Sequence, residues 1–201
     1  MATNKALLII DVQNDFCENG NLAVAKASEI IPIINKLMLE HEIIIATKDW
    51  HPIDHQSFAA NHTKKNIGDK IFLGNTEQVL WPQHCVQNTL GSEFHPKLNT
   101  TKINKIFYKG ENKEIDSYSG FYDNDHKNST GLYEHLDQLN IQDLYIVGLA
   151  TDYCVKYSAL DAKKLGFNVF VIKDACRGVE INKGDIEKAV AEMQDAGVVI
   201  I

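Results

Sequence analysis

Six short β-rich runs punctuate the chain: ALLIIDV (6–12), EIIIAT (42–47), KINKIFY (102–108), DLYIVGL (143–149), FNVFVI (167–172) and GVVII (197–201). Most are apolar at consecutive positions. A strand with one wet face alternates, whereas a strand that is apolar throughout needs cover on both faces. Segments with helical spacing lie between the runs. Ser28 to His41 carries Ile30, Ile31, Ile34, Leu37 and Met38, with Pro32 in its first turn, where a missing N–H costs little. Leu132 to Leu139 spaces Leu132, Leu136 and Leu139. Asp152 to Leu165 spaces Val155, Ala159, Ala162 and Leu165 ahead of Gly166, a stop signal. Lys183 to Ala196 spaces Ile186, Ala189, Val190 and Met193. Strands alternating with helices imply right-handed crossovers and a parallel sheet, hence an α/β fold.

A chain of 201 residues suits one domain. No repeat or Pro/Ser-rich linker interrupts it, so 1–201 is read as a single domain. The 20 Lys+Arg against 27 Asp+Glu leave a net charge of −7 and no basic stripe, which argues against nucleic acid as a partner. No apolar run approaches the roughly 18 residues of a membrane span. The start, MATNKALLIID, has a short apolar run ending in an acid, unlike a signal peptide. Cys17, Cys85, Cys154 and Cys176 are scattered without a C-x-x-C pair and read as reduced thiols. The expectation is a soluble cytoplasmic protein. Residues 50–101 show little periodicity, and long irregular stretches of this kind are usually functional.

Ligands of open α/β sheets bind beyond the carboxyl ends of the strands. Asp11 follows LLII, Asp49, His51 and His55 follow IIIATK, Lys109 follows KIFY, and Cys154 follows YIVGLATDY. An acid, a metal-type cluster, an ammonium and a thiol therefore share one sheet edge. Thr151 or Asp152 is placed to cap the next helix. That puts the Cys154 sulfur in the first turn, where the helix dipole favours a thiolate and free N–H groups can receive an oxyanion. Asp11 needs a partner, because an unpaired buried carboxylate is costly. Lys109 supplies one, either as a structural salt bridge or as the holder of a proton-shuttling acid for Cys154. In TKDWHPIDHQSF, Asp49 and His51 stand two apart, followed by Asp54 and His55, and His84 follows in LWPQHCV. Two His and a carboxylate suit zinc, iron or manganese, and a solvated loop is the plain alternative. Phe16, Trp81 and Tyr118 sit in irregular segments near these positions. They either wall a flat aromatic ligand or simply pack. His41, His62, His95, His126 and His135 have no motif, and Cys17, Cys85 and Cys176 read as structural thiols. Nucleotide fingerprints such as G-x-G-x-x-G and G-x-x-x-x-G-K-[ST] are missing, as is H-E-x-x-H.

The blocks LLIIDVQNDFCENGNLAV, TKDWHPIDHQSF, LWPQHCVQNTLGSEFHP, FYKGENKEIDSYSGF and IVGLATDYCVKYSALDAKKLGF resemble, in order, those of the nicotinamidases among the isochorismatase-like hydrolases. D-V-Q-N-D-F and G-x-A-T-D-x-C-V mark the superfamily's cysteine hydrolases, and D-W-H-P with W-P-x-H-C-V is more specific to nicotinamidases. The resemblance implies a three-layer, Rossmann-like α/β fold with a six-stranded, mainly parallel sheet and helices on both faces. It implies hydrolysis of nicotinamide to nicotinate and ammonia in NAD salvage, with pyrazinamide as a second substrate. It makes Cys154 the nucleophile that forms a thioester, Asp11 its base and Lys109 the partner of both. The N–H groups of Ala150 and Cys154 would receive the oxyanion, after a cis peptide bond at Leu149–Ala150. Asp49, His51 and His84 would hold one divalent metal ion that binds the pyridine nitrogen, zinc foremost, with iron or manganese as alternatives. His55 matches a fourth ligand found in some members. Phe16, Trp81 and Tyr118 match residues flanking the ring. Tyr153 and the segment 60–76 stand where members vary. Homo-oligomers are common in the family. Two other readings compete: an N-carbamoyl-amine hydrolase of the same superfamily, and a non-catalytic thiol sensor on this fold. D-W-H-P with W-P-x-H-C weighs against the first, and the intact trio Asp11, Lys109 and Cys154 against the second.

Overall fold

The apolar runs become strands of one sheet. The computed structural model describes residues 4–201, so Met1–Thr3, which open the MATNKALLIID segment, lie outside the described residues. The strands in chain order are β1 (Lys5–Ile10), β2 (Ile43–Asp49), β3 (Lys70–Leu73), β4 (Thr76–Val79), β5 (Lys105–Lys109), β6 (Asp143–Leu149), β7 (Asn168–Arg177) and β8 (Val199–Ile200). Six of them form a sheet in the order β5-β2-β1-β6-β7-β8, and every neighbouring pair is parallel. Helices α1 (Ile31–Leu37), α2 (Leu132–Gln138), α3 (Lys156–Lys164) and α4 (Asp185–Asp195) make the crossovers.

Continuous apolarity is explained by the two cores. Leu7 and Ile9 of β1 pack with Ile44, Ala46 and Val147 against Ile31, Ile34 and Met38 at α1. Their neighbours Ala6, Leu8 and Ile10 pack with Ile45, Leu144 and Ile146 against Leu132, Leu136, Ala159, Ala162 and Met193. Helices thus cover both faces, which gives three layers. Among the described residues no helix is long and apolar enough to cross a membrane.

The structure departs from the sequence reading at two elements. Residues 50–101 contain the antiparallel hairpin β3–β4, closed by Gly74 and Asn75 with Gly74 at φ +60°. Glycine is suited to that left-handed position of a two-residue hairpin turn. The residues from Thr151 do not start a capped α-helix. Thr151–Val155 is a π-helical turn leading into α3, Ala150 holds the N-cap position, and no side chain caps it. Asp152 instead accepts hydrogen bonds from the Val179 and Glu180 N–H groups at 2.9 and 2.8 Å, tying the turn to the segment after β7.

The Leu149–Ala150 peptide bond is cis. Just before it, Gly148 pairs with Ile10 at φ +118°, and a Cβ there would lie 2.1 Å from the Ile10 carbonyl oxygen. Gly148→Ala therefore meets both backbone strain and a clash with main chain. Urea unfolding should show a loss well above about 1 kcal/mol, and an unchanged midpoint would contradict this account of the β1–β6 seam.

Candidate active site

Strand order brings the ends of β1, β2, β5 and β6 together at the carboxyl edge, with β1 between β2 and β6. Lys109, last residue of β5, is 2% exposed. Its Nζ lies 2.9 Å from Asp11 Oδ2, pairs with Asp49 Oδ1, donates to the Ser117 carbonyl at 3.0 Å, and sits 3.4 Å from Cys154 Sγ. Asp11, Asp49 and Cys154 each offer an atom, and these atoms lie within 4.8 Å of one another. Thr47 Oγ1 donates to Asp11 Oδ1 at 2.6 Å.

Burial acts on all four groups, and charge decides between them. It pushes the Asp11 carboxyl up, and Lys109 only partly opposes it. It pushes Asp49 up too, but Lys109 and His51 outweigh it and hold Asp49 well below the usual carboxylate range. Burial would lower Lys109, yet Asp11 and Asp49 keep it well above its ordinary value. At Cys154 burial outweighs Lys109 and holds the group well above an ordinary thiol. Burial thus favours the protonated form of Cys154, and Asp11 lies close enough to take its proton.

Asp49, His51 and His84 each direct an atom to one spot, within 4.8 Å of one another. Asp49 Oδ2 is 3.7 Å from His51 Nε2 and 3.8 Å from His84 Nε2. His51 Nδ1 donates to the Gly110 carbonyl at 2.9 Å, and His84 Nδ1 to the Pro82 carbonyl at 2.8 Å. A carbonyl can only accept, so in the neutral rings both Nε2 atoms carry lone pairs. His51 Nε2 is buried and has no hydrogen-bond partner among the described residues. A buried lone pair beside a carboxylate and a second imidazole suits a divalent cation. His55 differs. Its Nδ1 accepts the Ser57 N–H at 3.1 Å, which leaves the ring proton on Nε2, and burial foremost, then His51, pushes its pKa down to about 4.

Phe16, Trp81, Tyr118 and Ala150 line one pocket with Asp49, His84 and Cys154. Trp81 Nε1 donates to Tyr118 Oη at 3.1 Å, and the Phe16 and His84 rings lie 5.4 Å apart. The free volume is about 20 Å³, so these walls are closely packed. A larger depression of about 450 Å³, lined by Lys70, Glu77, Lys156 and Asp185 among others, adjoins it across Tyr118 and Tyr153.

Three residues at the site were not identified from the sequence. Tyr153 joins the pocket wall, with its ring 4.9 Å from Trp81. Asp116 also lines the pocket. Gln13 grips the Asp49 backbone: its Nε2 donates to the Asp49 carbonyl and its Oε1 accepts the Asp49 N–H, both at 2.8 Å. Gln13 stands two residues past Asp11, beyond the apolar run that singled out Asp11.

Lys109→Met would strand two buried carboxylates, which costs about 3–5 kcal/mol at neutral pH. Lys109 is raised, so its stabilisation is present below the unfolded lysine pKa. Depressed Asp49 contributes stability above the unfolded carboxylate pKa of about 4 and loses it as pH falls. The gap between wild type and Lys109→Met should therefore be widest near pH 7 and narrow as the carboxylates protonate. Urea melts across pH 4–8 check this, and a gap that widens on acidification would reject the pairing.

Comparison with known proteins agrees with this geometry. The isochorismatase domain model matches residues 5–201. A nicotinamidase of Acinetobacter baylyi is 48% identical over 98% of this chain and 92% of its own. The structure of an Acinetobacter baumanii nicotinamidase/pyrazinamidase superposes with a TM-score of 0.96 at 50% identity, covering 98% of this chain and 95% of that one. A Pyrococcus horikoshii pyrazinamidase in complex with zinc has a TM-score of 0.81 at 34% identity, with 99% of each chain covered. Parallel topology, site geometry and full-length similarity together make the chain a member of the isochorismatase domain family.

Proposed function

We propose that this chain is an amidohydrolase that converts nicotinamide to nicotinate and ammonia through a cysteine thioester. One observation carries the reading. A thiol, a raised carboxylate and an ammonium meet at Cys154, which lines an aromatic-walled pocket together with Asp49 and His84 of the Asp49, His51 and His84 group. The similarity to nicotinamidases supports the same substrate, with pyrazinamide as a second one and the product serving NAD salvage. Residues 1–201 act as one hydrolase domain.

Asp11 takes the Cys154 proton, and Lys109 keeps the resulting thiolate beside a positive charge. The sulfur attacks the carboxamide carbon while the N–H groups of Ala150 and Cys154 receive the oxygen. Asp11 returns the proton to the departing nitrogen, which leaves as ammonia. Water that gives a proton to Asp11 then attacks the thioester, releasing nicotinate and regenerating the thiol. Burial raises both Asp11 and Cys154, which keeps the proton transfer between them closer to balance than an ordinary carboxylate would allow. Phe16, Trp81 and Tyr118 hold the ring. Asp49, His51 and His84 would hold one divalent cation, zinc foremost, with iron or manganese as alternatives. When bound, it supplies a Lewis acid for the pyridine nitrogen and so helps orient the substrate.

Ammonia release from nicotinamide tests the proposal. The wild-type chain should turn over, Cys154→Ala should lose essentially all activity with its circular dichroism unchanged, and Asp11→Asn should fail to accumulate thioester. No ammonia from the wild type would reject the amidase reading in favour of a non-catalytic thiol protein. Chelation should raise KM for nicotinamide, and added Zn²⁺ should restore it. Undiminished activity after verified metal removal would reject the cation's part.

A further inference from the structure

Asp116 is a buried carboxylate for which the mechanism above has no task. Its Oδ1 accepts the Ser117 N–H at 2.8 Å and its Oδ2 accepts from Gln78 Nε2 at 3.0 Å, both neutral donors. Among the described residues, the only Lys, Arg or His nitrogen within 4.0 Å of it is His51 Nε2. The site therefore buries Asp11, Asp49 and Asp116 around the single ammonium of Lys109, and Lys109 is occupied by the first two. An anion left over in a dry site calls for a positive charge nearby.

His51, His55 and Asp116 form a second group whose ligand atoms lie within 4.8 Å of one another, sharing His51 with the Asp49–His51–His84 group. It is not a second ion site. A neutral His51 has one lone pair, on Nε2, because Nδ1 donates to Gly110. The His55 lone pair is taken by the Ser57 N–H. One imidazole lone pair cannot serve two ions. Asp116 does, however, open onto the same pocket as Asp49 and His84. We propose that Asp116 is a positioning residue of the cation site: it accepts a hydrogen bond from water carried by the cation, and its charge sets how tightly the cation is held. This rests on the reading of Asp49, His51 and His84 as ligands.

The test titrates the metal-stripped full-length chain with Zn²⁺ against a chromogenic chelator, and with Co²⁺ by visible absorption. Asp116→Asn should still bind one ion per chain, about 10–100-fold more weakly, as loss of an outer partner does. Its Co²⁺ bands should match the wild type. Stripped of metal, it should melt no lower than stripped wild type, because a merely structural carboxylate would lower that melting point and an uncompensated charge would not. Affinity within twofold of wild type overturns the inference. Lost stoichiometry or altered Co²⁺ bands also overturn it, by making Asp116 a direct ligand. If Asp116→Asn does not fold, Asp116→Ser removes the same charge with a smaller side chain. A several-fold weaker Zn²⁺ affinity then supports the inference, and wild-type affinity overturns it. Wild type that binds no metal at all rejects the ligand reading itself, and this inference with it.

Discussion

One buried ammonium holds this sheet edge together. Lys109 Nζ reaches groups from β1, β2 and the segment after β6, and it donates to the Ser117 carbonyl in the loop after β5. Charges this deep are tolerated only when paired and hydrogen-bonded. The pairing is uneven, and the unevenness separates the two carboxylates. Asp49 has Lys109 and His51 beside it and is held far down, while Asp11 has burial against it and moves up. Two chemically identical side chains are thereby suited to different work, one to remain an anion and one to exchange a proton.

Backbone constraints fix where these groups stand. Gly110 follows Lys109 at φ +68°, and a Cβ there would come within 2.3 Å of the His51 ring. Only a glycine lets the chain pass under that ring while its carbonyl orients Nδ1. Gln13 clamps the Asp49 peptide through both of its backbone groups, and Asp15 accepts the Cys85 N–H at 2.7 Å, one residue past His84 and one before Phe16. The segment that starts with Asp11 therefore supplies a proposed acid and also positions a proposed ligand and a ring wall.

Much of this was legible because it follows from strand ends. Apolar runs mark the strands, and a polar residue at the end of such a strand falls on the carboxyl edge, as Asp11, Lys109 and Asp49 do. The hairpin β3–β4 was illegible because its strands are four residues each, and in TEQV of β4 only Val79 is apolar. Asp116 lies in an irregular loop, where no period marks which side chain turns inward. The protonation of Cys154 could not be read from helix position either. The dipole argument holds for an exposed turn, and here Cys154 is only 6% exposed on a π-helical turn, so desolvation prevails.

That burial bears on how the proposed nucleophile survives. Thiolates are the species that oxidise and exchange, so a sulfur permanently ionised in a reachable pocket would be exposed to both. Burial favours the protonated thiol at Cys154, and the proposed base lies a few ångströms away. Phe16, Trp81, Tyr118 and Tyr153 wall the same pocket as Cys154, so the sulfur is reached through a closely packed, aromatic-lined space. On this view the raised thiol is no obstacle to catalysis. Asp11 is raised by the same burial, and the proton has a short path between two groups that the site has moved in the same direction.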